Sequence, residues 1–347
     1  VNAIAIAADP IEQAQSASYD ELAREANTLR ERINRFRVGL GRFFVAKQPL
    51  IDLMCVAAVA QEPLLLVGPP GTAKSDLVLK FKDALTIPDG EYFEYLLTRF
   101  TEPSEVFGPI DIAELRAGRY LRRDRGKLPT ARLVFLDEIF KANSAILNSL
   151  LTVINERKFY QDGQPVPVKL RILFAATNEL PENVELAALK DRFCLKAACR
   201  SVQDEHFVEL IDAGLDAYTH RELNQRPWVE GHATLADFVR AHRLLAHVLA
   251  QKTVDASGNS LRDRDLYFSD DLLRELRRVI KTLVREDGVF VSDRKVVKLY
   301  RLLRTHAWIT HGGAVERSDL RLLAYLGETR DEIDLLEDKV PRLLGLN

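Results

Sequence analysis

The sequence predicts an α/β fold built on a parallel sheet, followed by an all-helical C-terminal part. Three observations carry this. Between about residues 37 and 200, five apolar runs of strand length alternate with segments of helical period, the pattern of a parallel sheet with helices on both faces. A glycine-rich turn joins the first of these runs to a helix. Beyond about residue 200 the strand signal fades and helical periodicity takes over.

The 347 residues suit two domains, or one large domain with an appendage. Residues 1–18 read as a loose tail and 19–36 as a charged helix with few core positions, so 1–36 form an N-terminal tail and helix. The α/β domain spans 37–200. Its strands are expected at PLLLVG (63–68), YFEYLLT (92–98), RLVFLDE (132–138), LRILFAATN (170–178) and FCLKAACR (193–200), with helices over 74–86 and 144–157. The helical domain spans 201–347, with helices at 203–213, 234–251, 269–286, 293–310 and 317–338. The polar stretch 254–265 reads as a loop.

Apolar residues make up 47% and charged residues 29%, the balance of an ordinary soluble globular protein. With 49 basic and 51 acidic side chains the net charge is -2, which gives no general electrostatic reason to bind nucleic acid or an anionic membrane. One local exception is the basic run RYLRRDRGK (119–127), either a solvated face or a nucleic-acid contact. Cys55, Cys194 and Cys199 are odd in number, lie in apolar surroundings and form no C-x-x-C pair, as expected of reduced, buried thiols. The longest apolar run, Leu53 to Ala60, is too short to cross a bilayer, and the N-terminal residues lack the features of a signal peptide. A cytoplasmic location is the resulting expectation.

The turn is GPPGTAKS: Gly68, Pro69, Pro70, Gly71, Thr72, Ala73, Lys74 and Ser75. Between a buried strand and a helix, such a loop closes its backbone N–H groups around phosphate oxygens and presents the positive helix end to the same anion. Lys74 then reaches the β- and γ-phosphates and the Ser75 hydroxyl binds Mg²⁺. Ala73 stands where glycine usually precedes the lysine, a change that is tolerable at negative φ. The third apolar run ends in Asp137 and Glu138. Carboxylates at the end of a buried strand need a partner. Asp137 would hold Mg²⁺, and Glu138 would take a proton from, or orient, the attacking water. Asn178 ends the fourth run in the same fashion and would position that water against the γ-phosphate of ATP.

Assembled, these residues resemble the AAA+ superfamily and, within it, the MoxR family, with the nearest likeness to the RavA type. The likeness rests on FEYLLTRFTEPSEVFGPIDI (93–112), LVFLDEIFKANSAILNSLLTVINERKF (133–159), AATNELPE (175–182), LKDRF (189–193) and VSDRKVVKLYRLL (291–303). It covers roughly residues 25–340. The resemblance implies an AAA+ P-loop NTPase core followed by an all-helical lid. It implies ATP and Mg²⁺ as cofactors, and a hexameric ring as the assembly. Asn178 matches the sensor-1 position. Arg192 matches the arginine that reaches the neighbouring subunit's γ-phosphate, and Arg294 the sensor-2 arginine of the lid. Thr98 would be the polar switch that restrains Glu138. Residues 101–130 match a helix-2 insert and 158–169 a pre-sensor hairpin, in which Asp162-Gly163 is also a hairpin signal in its own right.

The reading that results is an ATP-hydrolysing ring ATPase that remodels protein partners or assists cofactor or metal insertion. Its usual family partner is a protein with a von Willebrand factor A domain. The competing reading is a nucleic-acid-stimulated AAA+ motor, suggested by the two inserts and the 119–127 run. A GTP switch protein is disfavoured because no N-K-x-D element is present; Asn178 is followed by Glu179 and Leu180.

Overall fold

A computed structural model describes residues 9–183, 186–254 and 260–346. All five apolar runs form strands of one parallel sheet: β1 (Leu64–Val67), β2 (Tyr92–Leu96), β3 (Leu133–Asp137), β6 (Ile172–Thr177) and β7 (Leu195–Ala198), in the order β2-β3-β6-β1-β7. Central β1 and β6 are buried along their whole length, which is why they read as unbroken apolar runs rather than alternating ones. Leu64 pairs with Phe174 on one side and Leu195 on the other.

Helices α3 (Gln48–Ala60), α4 (Lys74–Ala84), α7 (Ser144–Glu156) and α8 (Ala187–Lys190) connect or flank these strands. The 101–130 insert holds two short helices, α5 (Pro103–Phe107) and α6 (Ile112–Arg116). The expected hairpin is present as β4 (Lys158–Gln161) paired with β5 (Gln164–Pro167). Its two turn residues both have positive φ, 49° at Asp162 and 71° at Gly163, as a two-residue hairpin turn requires.

The N-terminal region departs from expectation. Within the stretch read as a loose tail lies α1 (Pro10–Ser16), capped by Asp9, whose Oδ1 accepts the Ile11 N–H at 2.9 Å. Arg132, just ahead of β3, pairs with the same carboxylate. Helix α2 (Tyr19–Gly41) runs past residue 36 and buries Leu22, Leu29, Ile33, Phe36 and Leu40. That spacing is one helical stripe, and charges crowd the remaining surface.

The C-terminal half contains α9 (Phe207–Glu222), α10 (Leu235–Ala250), α11 (Asp263–Tyr267), α12 (Asp270–Glu286), α13 (Asp293–His311) and α14 (Arg330–Leu344). Three expectations change here. The helix expected at 203–213 starts at Phe207 and runs on to Glu222. The single helix expected over 317–338 is a 3-10 stretch, Arg317–Leu326, followed by α14. The chain breaks at Gly327, where a Cβ would stand 2.7 Å from the Ile333 nitrogen. The stretch expected as a loop over 254–265 instead contains β9 (Ser260–Arg262), paired with β8 (Lys252–Val254), and the start of α11; residues 255–259 lie outside the described residues.

Phe36 of α2, Phe81 of α4, Phe174 of β6 and Phe238 of α10 join these parts through edge-to-face contacts, with centroids 5.1 Å apart for Phe36–Phe81 and 5.3 Å for Phe81–Phe174. Each such pair is worth about 0.5–1.5 kcal/mol beyond the area it buries. Because α4 begins at Lys74, this cluster fixes the helix that carries the glycine-rich turn. Among the described residues, no helix is long and apolar enough to cross a membrane.

Candidate nucleotide site

The carboxyl ends of β1, β6 and β3 lie side by side, and each delivers one part of the site. After β1 the chain turns through Gly68–Ala73 into α4. Gly68 is required by its neighbour: a Cβ there would stand 2.3 Å from the carbonyl oxygen of Cys199. Gly71 takes φ +82°. Ala73 takes φ +67°, not the negative value that would make alanine comfortable. The left-handed conformation costs an L-residue about 1–2 kcal/mol, so this loop is held in shape against a local preference. Among the described residues, the N–H groups of Gly71, Thr72 and Ala73 meet no acceptor. Three donors in a turn at a helix start form an anion cradle.

Lys74 is buried, and its Nζ donates to the carbonyls of Gly68 at 2.5 Å and Pro69 at 2.9 Å and to Asn178 Oδ1 at 3.1 Å. Asn178, just past β6, donates through Nδ2 to Glu138 Oε1. Glu138 is buried at φ +52°, and its N–H donates to Asp137 Oδ1 at 2.9 Å. Lys74, Asn178 and Glu138 are therefore one bonded chain across three adjacent strands. Asp137 is half-buried and Ser75 exposed.

Glu138 has a second partner that sequence reasoning missed, Lys141 Nζ at 3.2 Å. Thr98 does not restrain Glu138 here. It is exposed, accepts the Phe100 N–H at 3.2 Å and lies 3.1 Å from the Thr101 hydroxyl. Asn178 occupies the restraining position instead. Also missed was a hollow of about 200 Å³ beside Gly71–Ala73, walled by Phe43, Phe44, Val45, Val202 and Leu210. The adjacent Phe43-Phe44 pair ahead of α3 was the available signal. Cys199 lies behind the turn, where burial pushes its thiol up to about 11, so it stays an unreactive thiol at neutral pH.

Arg192 and Arg294 are not brought to this cluster. Arg192 precedes β7, whose Leu195 pairs with Leu64 at the amino end of β1. Arg294 lines a cleft with Gln61, Glu62 and Pro63 at that same end. The four residues of β1 separate the two ends by about 13 Å. The arginines are neighbours of each other: Ser292 Oγ donates to Asp191 Oδ1 at 3.0 Å, and Lys298 Nζ to the Arg192 carbonyl at 3.2 Å. Arg192 Nε is buried with no partner.

In the basic run, Arg119 pairs with Glu114 and Arg123 with Asp111, while Arg122 and Lys127 donate to the carbonyls of Gly108 and Glu105. Most of its charge is thus committed within the insert.

The five-stranded parallel sheet, its strand order and the helical lid define an AAA+ type α/β fold. A family description, the MoxR domain in the MoxR-vWA-beta-propeller ternary systems, matches residues 31–236, and an AAA lid domain matches residues 269–339. The chain belongs to the MoxR family of AAA+ ATPases. Two uncharacterized proteins of Methanocaldococcus jannaschii are 40% and 33% identical to it, each over 85% of this chain and 70% of their own. The chaperone MoxR1 of Mycobacterium tuberculosis is 26% identical over 54% of this chain and 48% of its own. A solved structure from Cytophaga hutchinsonii, described as a candidate ATPase, shares the fold with a TM-score of 0.66 at 16% identity. The match covers 93% of this chain and 95% of that one.

Proposed function

We propose that the chain hydrolyses ATP with Mg²⁺ as part of a ring of identical copies and uses the cycle to remodel protein partners. The observation that carries this reading is the bonded chain Lys74–Asn178–Glu138 beside three unengaged backbone N–H groups. A triphosphate entering the cradle would take the Lys74 ammonium away from the loop carbonyls it now bonds. The Asn178 amide would then be free to turn to the water that Glu138 orients. Ser75 and Asp137 would hold Mg²⁺, which supplies neutralisation of the phosphate charge when bound. The hollow at Phe43 and Phe44 suits a nucleobase, with apolar and aromatic walls next to the phosphate cradle.

Arg192 and Arg294 sit at the opposite end of the sheet, so we assign both to the nucleotide of an adjoining copy. A ring, six-membered by family expectation, follows from that assignment. The matched family description names MoxR-vWA-beta-propeller ternary systems, which supports a von Willebrand factor A protein as the proposed partner, with cofactor or metal insertion one proposed use. The stretches at 93–112 and 133–159 support a RavA-like member.

The test is Glu138→Gln assayed with ATP and Mg²⁺. The variant should bind ATP as the parent does and turn it over about a hundredfold or more slowly, the scale of general-base catalysis. Parental turnover in the variant removes Glu138 from the mechanism.

A further inference from the structure

Two lysines without exposed area meet one carboxylate at the seam between the sheet and the lid. Lys196 lies in β7 and Lys295 in the first turn of α13. Both ammonium groups donate to the same oxygen, Oε1 of Glu328, at 2.9 Å from Lys196. Glu328 is half-buried between the 3-10 stretch and α14, and its N–H donates to Glu332 Oε2 at 2.7 Å. Two cations on one anion leave a surplus positive charge in the interior. Burial holds the Lys196 ammonium down at about 8; the pull of Glu328 opposes this and the Lys295 charge beside it adds to it. Buried ion clusters are weak sources of stability, because desolvation consumes most of what their attraction returns. What this cluster fixes is the position of the segments it joins.

Those segments carry the two arginines that stand away from the glycine-rich turn. Lys196 Nζ also donates to the Phe193 carbonyl at 2.9 Å, directly after Arg192. Lys295, directly after Arg294, donates through Nζ to the Phe290 carbonyl at 3.0 Å. On the same seam Ser292, the N-cap of α13, bonds Asp191, and Lys298 bonds the Arg192 carbonyl. The chain around Arg192 and the start of α13 are thus tied to each other on two sides. These bonds run through the backbone and the side chains beside each arginine, not through the guanidinium groups.

We propose that Glu328 is a positioning residue: by clamping Lys196 to Lys295 it locks the Arg192 segment and the start of α13 into one unit that presents both arginines at a fixed separation. This role rests on the proposed service of those arginines to the nucleotide of an adjoining copy. With the clamp closed, the lid does not turn at this seam, and Arg192 and Arg294 move as a pair. Glu328 touches neither the nucleotide nor the glycine-rich turn, so it acts only through the arginines it places.

The test is Glu328→Gln in the full chain. The amide keeps the shape and removes the anion that both lysines share. ATP affinity should match the parent, because the chain's own turn is untouched. The kcat for ATP hydrolysis should fall about a hundredfold, the scale of a group displaced by about 1 Å. Mixing separates positioning from a damaged fold. With Lys74→Ala copies, which keep their arginines and lack a working turn, Glu328→Gln copies should regain hydrolysis. With Arg192→Ala copies they should not, because both chains then fail on the arginine side. Recovery with Arg192→Ala instead, or with neither, overturns the proposal, as does parental kcat in Glu328→Gln. Lys74→Ala mixed with Arg192→Ala is the control. If that pair recovers while the Glu328→Gln pattern fails, the clamp alone is overturned; if the control stays silent, the site shared between copies falls and the clamp with it. Lys196→Met removes the strand's half of the clamp and leaves Lys295 and Glu328 as a one-to-one pair. It should follow the same mixing pattern, which keeps the test decisive if Glu328→Gln fails to fold.

Discussion

At Ala73 the chain takes φ +67° immediately before the lysine that the site depends on. A methyl in the left-handed region crowds the following carbonyl, and glycine removes that crowding. The larger backbone entropy of glycine in the unfolded chain offsets part of the gain. Ala73→Gly is therefore expected to raise stability by about 0.5–1 kcal/mol in urea unfolding. Nucleotide binding should be retained, because no described contact uses the Ala73 side chain. A loss of stability would mean that the turn is not under the tension its φ indicates. Glu138, at φ +52°, is a second strained residue in the same site. Glu138 was recognised in the sequence as chemistry but not for its backbone, and Ala73 was expected at negative φ, which the structure overturns. Residue type announces a carboxylate or a lysine, whereas φ is set by how β1, β3 and β6 end against one another.

Among the elements, the junction of β1 with β7 places the tightest demand on the turn. Cys199 donates its N–H to the Val67 carbonyl at 2.7 Å, so the two strands close together just where Gly68 begins the turn. Adding a methyl at Gly68 drives it into the Cys199 carbonyl, a backbone atom that cannot retreat without breaking that bond. Gly68→Ala should cost about 1–3 kcal/mol, read as a lower urea midpoint at unchanged slope, and should weaken ATP binding by displacing the cradle. The strands themselves were legible because a parallel sheet covered on both faces favours apolar runs, and two of these runs end in polar residues of the site, Asp137–Glu138 and Asn178. Helix α2 was read as a helix over 19–36, but its core face was not, because the stripe of Leu22, Leu29, Ile33 and Phe36 is diluted by acids and arginines on the solvent side. The break between the 3-10 stretch and α14 was also hidden. Its cause is the close approach of Gly327 to Ile333, a tertiary contact that local periodicity does not carry.

For the whole molecule, the decisive fact is that the site residues fall into two groups at opposite ends of one sheet. Lys74, Asp137, Glu138 and Asn178 gather at the carboxyl ends, and Arg192 and Arg294 at the amino ends. A rigid sheet does not bring its two ends together, so the proposed function puts a complete site between two copies. This arrangement predicts complementation. A Lys74→Ala chain keeps its arginines but lacks a working turn; an Arg192→Ala chain keeps its turn but lacks the arginine. Each alone should be nearly inactive, since an arginine supplied in trans is worth roughly three to five powers of ten in rate. Mixed in equal amounts and allowed to exchange, roughly a quarter of the junctions pair an intact turn with an intact arginine. ATP hydrolysis should therefore reappear, peak near equal proportions and vanish at either extreme. Activity that stays at the sum of the two separate preparations at every ratio would place Arg192 outside the neighbour's site. The dependence on mixing ratio separates this outcome from a general rescue of folding, which would rise with whichever chain folds better rather than peak between them.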